Sequence, residues 1–139
     1  MRSDELTLSA THERAAHVID AFPGGSVIRE LRAIVSKADA EALRQTQLSI
    51  RFDGVESVRV PLGDFFGSGP GLADVTSIAF DVHAVERSLI ARWPMPFGER
   101  AEIAVQTTGG VTLDVQLEVL SEARPWDDRS LLFYAQWHP

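Results

Sequence analysis

Carboxylates beside aromatic side chains are the residues of this chain best suited to chemistry, and they gather around one segment. Asp64 lies between Gly63 and the pair Phe65-Phe66 in the run Val60-Pro61-Leu62-Gly63-Asp64-Phe65-Phe66-Gly67, and Asp53, Glu56 and Asp74 flank that run. Two carboxyl groups about 5–10 Å apart across a bond, with aromatic faces for a ring to stack on, could hydrolyse a sugar linkage. A structural role competes: an Asp in a turn accepts hydrogen bonds from the turn's own amides. That is the reading we give Asp64. A second aromatic box, Trp93-Pro94-Met95-Pro96-Phe97, follows about thirty residues later. It suits either a platform for a sugar ring or a plug against a neighbouring subunit. Trp, Met and Phe are enriched at the buried centres of interfaces, which puts the plug ahead. Asp64, Phe65, Phe66, Trp93, Met95, Phe97 and Trp137 are therefore the candidate binding or interface residues, with no catalytic role assigned.

Other chemistries find less support. His12 and His17 are five residues apart, a poor spacing for one helical face, and His83 and His138 stand alone. A metal site needs three or four convergent ligands, so none is expected. Gly67-Ser68-Gly69 lacks the strand-turn-helix context of a nucleophile elbow. The glycine-rich run Gly63 to Gly71 has no Lys and opens no helix, which excludes a phosphate loop. No cofactor is expected. The chain has no Cys, hence neither disulfides nor thiolate chemistry, and a cytoplasmic location is the expectation. Its formal charge of −7 argues against a nucleic-acid partner, which requires a basic face. No apolar run is long enough to span a membrane as a helix, and the N-terminus lacks the apolar core of a signal peptide.

The elements that must position these residues are mostly strands. Residues 1–23 look like an N-terminal arm with at most a short helix, closed by Pro23-Gly24-Gly25. Beyond it, Val27, Leu31, Ala33 and Val35 share a face on which Arg29 is the exception. Leu48, Ile50 and Phe52 alternate with polar residues, then Asp53-Gly54 turns into Val58 and Val60. Further strands are expected at Ile78–Val82, Leu89–Trp93, Ile103–Val105, Leu113–Val119 and Leu131–Trp137, and Ala38–Arg44 is the one convincing helical turn. Eight short strands with Gly/Pro turns make an all-β sandwich over residues 24–139, best read as a single eight-stranded jelly roll.

Taken together, these segments resemble a known family. Leu48 to Gly54, then Ser57 to Gly67 with its Pro-Leu-Gly-Asp-Phe-Phe-Gly, then Trp93-Pro94-Met95-Pro96-Phe97 followed by Ala101-Glu102-Ile103, and finally Leu132 to Trp137, resemble successive blocks of glycoside hydrolase family 172. The resemblance covers roughly residues 24–139 and implies its first jelly-roll domain. Members of that family carry two jelly rolls in tandem, form trimers or larger rings, and resemble double jelly-roll capsid proteins in fold. They act on fructofuranosyl or arabinofuranosyl linkages through two Glu residues in second-domain motifs. Neither motif occurs here, so no catalytic role passes to Glu56, Glu86, Glu99, Glu102, Glu118 or Glu122. The resemblance thus implies a non-catalytic jelly-roll module that forms a homo-oligomer, a trimer or larger, or pairs with a second jelly-roll chain. The alternative is a subunit acting on a furanose-containing glycan, with the Glu pair supplied by another chain.

Overall fold

The computed structural model describes residues 2–36, 40–66, 75–76, 80–83, 87–125 and 135–136. Their strands are β1 (Arg2–Ala10), β2 (Ala15–Asp20), β3 (Ser26–Val35), β4 (Thr46–Phe52), β5 (Val55–Pro61), β6 (Val75–Thr76), β7 (Phe80–His83), β8 (Ser88–Ala91), β9 (Met95–Phe97), β10 (Arg100–Thr107), β11 (Leu113–Ala123) and β12 (Ala135–Gln136). Two short helices, α1 (Ala40–Gln45) and α2 (Leu62–Phe65), flank the β4–β5 hairpin. Among the described residues, no helix is long and apolar enough to cross a membrane.

One sheet runs β1-β11-β3-β8-β7-β6, with β9 also on β3; the other runs β12-β5-β4-β10-β2. Within them, β1-β11-β3-β8 and β2-β10-β4-β5 are the first-eighth-third-sixth and second-seventh-fourth-fifth strands of an eight-stranded jelly roll. The all-β sandwich expected from the alternation is therefore present. Its eight principal strands are not the eight expected, however. Residues 2–20, read as an arm, are two strands: β1 pairs with β11 from Arg2↔Ser121 to Ala10↔Leu113, and β2 pairs with β10. Leu6, Leu8 and Ala10 alternate with Thr7 and Ser9 and turn inward, which ties the segment down. Conversely, β7 and β12 lie outboard of the eight, at the far sides of the two sheets.

Leu31, Ala33 and Val35 from β3, Val115, Leu117 and Val119 from β11, Leu48, Ile50 and Phe52 from β4, and Ile103 and Val105 from β10 meet in one buried core between the sheets. Arg29 breaks the β3 alternation because a register shift lies there: Leu120 opposes Glu30 while Ser121 opposes Ile28. The extra residue is a β-bulge, so Arg29 points to solvent and pairs with Glu122 at 2.6 Å.

The Asp53-Gly54 turn has positive φ at both residues, 53° and 84°, as a two-residue hairpin turn demands. The expected helical turn at Ala38–Arg44 is α1, Ala40–Gln45, with residues 37–39 outside the described set. Where a loop mouth is expected, α2 forms instead. Pro61 fixes its entry at φ −55°, and Leu62, Phe65 and Phe66 recur at helical spacing on one buried face.

Candidate functional site

An open groove of about 690 Å³ lies on the outer face of the first sheet. Strand alternation builds it: residues on β1, β11, β3 and β8 that point away from the core line up across the sheet. Thr7, Gln116, Ile34 and Ser88 form one row through the register, and Glu5, Glu118, Arg32 and Ile90 the next. Ile34 is 47% exposed at the middle of this face.

Charges border it in a connected chain. Arg32 reaches Glu118 at 3.5 Å and Glu30 at 2.8 Å. Arg92 reaches the other oxygen of Glu30 at 3.2 Å and also pairs with Asp81. Glu30, only 13% exposed, thus lies between two guanidinium groups. The hydrogen bond to Asp81 is the main influence that raises the Arg92 guanidinium above its already high value; desolvation opposes it, and Coulombic attraction from Asp81 and Glu30 adds to it.

This arrangement can bind more readily than it can catalyse. Glu5 and Glu118 are direct cross-strand partners, but Glu118 is engaged by Arg32 and the groove is open to solvent. General acid chemistry gains most in a site that excludes water. A half-exposed apolar strip edged by paired charges has the anatomy of a contact surface.

The aromatic residues singled out from the sequence lie elsewhere. Phe65 and Phe66 pack edge to face at 5.1 Å, and Phe65 stacks on the half-buried Trp93 at 6.2 Å. Met95 and Phe97 are fully buried, Phe97 beside Phe52 at 6.2 Å. Phe65, Phe66, Met95 and Phe97, taken from the sequence as candidate binding or interface residues, all belong to the core of the single chain. The reason is local. Met95-Pro96-Phe97 is the short strand β9, pairing with β3 from Ile28↔Met95 to Ser26↔Phe97, so its period of two turns Met95 and Phe97 inward. Proline is tolerated because, among the described residues, β9 pairs with β3 alone. Asp64 is exposed on α2, pointing away from its aromatic neighbours, and Trp137 lies outside the described residues.

The three described histidines, His12, His17 and His83, are exposed in three different segments. Among the described residues no three His, Asp or Glu converge as metal ligands would. The residues of the groove were missed because β1 and β3 share it only through β11, which lies at the far end of the sequence. Alternating polar residues such as Gln116 and Glu118 mark an outer face, yet do not say which strands lie beside it.

Residues 2–118 match the family described as GH172 domain-like, and the chain belongs to that family. The match begins with β1, so it takes in the two strands that sequence patterning assigned to an arm, and it ends within β11. No curated protein matches the chain at a significant level.

Proposed function

We propose that this GH172-type domain is a non-catalytic jelly-roll module that assembles with further copies of itself through the outer face of its first sheet. The single observation carrying this reading is the Ile34–Ile90 strip, which lies across β3 and β8 between Glu5 and Glu118 on one side and Asp81 and Arg92 on the other. Both signs of charge border the strip on this side, Glu5 and Glu118 from β1 and β11 and, next to Glu118, the half-exposed guanidinium of Arg32. A second copy can therefore set base against acid while covering Ile34, as a self-complementary contact requires. The engagement of Glu30 and Glu118 by arginines also supports a binding role over acid–base chemistry. A trimer or larger ring is the assembly we favour, in the cytoplasm, where a chain without Cys has nothing to lose to the reducing environment. Light scattering on the purified chain tests this: a multimer at micromolar concentration that falls to monomer in Ile34→Glu is the expected result. A clean monomer overturns it.

Family membership supports a second reading, that of a subunit of a glycoside hydrolase acting on fructofuranosyl or arabinofuranosyl linkages. In it another chain contributes the catalytic Glu pair. Hydrolysis of an aryl arabinofuranoside only when such a chain is added would favour this reading; hydrolysis by the single chain would contradict both.

A further inference from the structure

The second sheet carries a different kind of site on its outer face. A small dimple of about 170 Å³ is lined by Arg14, Gln47, Ser49, Arg51, Glu56, Arg59 and Gln106. Its position follows from the register. Ser49 opposes Arg59 on one side and Ala104 on the other, two small residues flanked by long ones, so the middle of the face sinks below its surroundings. The bulge between Ile50 and Arg51 on the β4–β5 pair brings Arg51 opposite Glu56 and adds local twist.

The charge here is unusual for this protein. The chain as a whole carries −7, yet three arginines and one glutamate line the dimple. Arg14 is satisfied by Glu102. Arg51 and Arg59 form no ion pair among the described residues; Arg59 has only a 3.4 Å hydrogen bond to Gln47. On the opposite sheet, by contrast, Arg32 and Arg92 each bridge two carboxylates. The two guanidinium groups without ion pairs outnumber the one carboxylate of the dimple, Glu56, which leaves a local excess of positive charge that favours a further anion. Guanidinium forks match carboxylate and phosphate oxygens bidentately. Gln47, Ser49, Gln106 and the Glu56 carboxylate supply the donors and acceptors that hydroxyl groups need.

We propose that this dimple binds a small hydroxylated oxyanion, a sugar acid or a sugar phosphate, with Arg51 and Arg59 holding the anionic group and Gln47, Ser49 and Glu56 bonding the hydroxyls. The site is independent of the assembly surface, since it lies on the other face of the sandwich. Calorimetric titration of the full chain with D-glucuronate, D-glucose 6-phosphate and neutral D-glucose tests it. At least one anion binds saturably and glucose does not, and Arg51→Gln and Arg59→Gln each weaken binding about tenfold. Arg29→Gln, on the opposite sheet, leaves binding unchanged. Preference for glucuronate identifies a carboxylate ligand, and preference for the 6-phosphate a phosphate ligand. Equal binding of glucose, no saturable binding of either anion, or full affinity in both arginine variants would overturn the proposal. Arg51 and Arg59 are exposed, so unchanged melting curves confirm that the variants remain folded.

Discussion

The carboxylate of Asp53 accepts the backbone N–H of Glu99 at 2.6 Å, forty-six residues along the chain. The same side chain accepts the amides of Gly98 at 2.8 Å and Arg100 at 3.0 Å, while the Asp53 amide donates to the carbonyl of Arg100. One residue thus closes the β4–β5 hairpin with its backbone and anchors the β9–β10 connection with its side chain. Asp53→Ala removes a charged acceptor shared by three amides and is expected to cost about 2 kcal/mol. Asp53→Asn keeps one acceptor oxygen and the left-handed turn, and costs less. Urea denaturation of the two variants checks the order; equal losses would mean that the turn conformation, not the amide cradle, is what matters.

A core role for Phe66 separates cleanly from an interface role. Phe66→Ala opens a cavity in a fully buried site and is expected to lower stability by about 3–5 kcal/mol. Asp64→Ala, two residues earlier but exposed, is expected to change stability by less than about 0.5 kcal/mol. Thermal unfolding of both distinguishes the two environments. A Phe66→Ala protein that keeps its melting temperature but changes its mass in solution would contradict the core placement.

Arg92 contributes to the outer face without a pH signature in the usable range. A group whose pKa is raised on folding gives stability that is complete below its unfolded value and is lost as the pH rises through its folded value. For Arg92 both lie above the range in which proteins are handled. The difference between the parent chain and Arg92→Gln should therefore stay constant from about pH 7 to about pH 10. Because Arg92 is more than a third exposed, that difference is small, about 1 kcal/mol or less after solvent screening, and added salt reduces it.

The half-exposed Ile34 offers the clearest readout on assembly. Ile34→Glu should leave monomer stability within about 0.5 kcal/mol of the parent, because the side chain is half exposed on the outer face of the sheet. The weight-average mass in solution should fall. A variant that loses stability by several kcal/mol without changing mass would show that Ile34 serves the monomer instead.

Much of the sandwich is legible in the sequence where alternation is unbroken. Leu48, Ile50 and Phe52 all face the core as their spacing demands, and Asp53-Gly54 makes the turn its composition specifies. Reading failed in two instructive places. At β1 the charged start Arg2-Ser3-Asp4-Glu5 resembles an exposed tail, and the strand's partner β11 lies far away in sequence, so nothing local signals the pairing. At α2 the pattern Leu62, Phe65, Phe66 does carry helical spacing, but four residues are too few for periodicity to outweigh the surrounding turn residues. The arginine dimple escaped for the same reason as the groove, since Arg14, Arg51 and Arg59 share a face only once β2, β10, β4 and β5 have assembled in that order.

The pairing of β1 with β11 also sets a timetable. Ser9 donates to the Asp114 carboxylate at 2.9 Å across 105 residues of chain, and every rung of that ladder spans a comparable distance. During synthesis β1 must wait, unpaired, until β11 has left the ribosome, and β3 waits for the same partner. Such long-range pairing makes for slow folding, in milliseconds to seconds. In that interval the nascent chain presents bare strand edges to its neighbours. The interval of synthesis is therefore one in which this protein is open to aggregation, and growth temperature and chaperone supply should influence its yield.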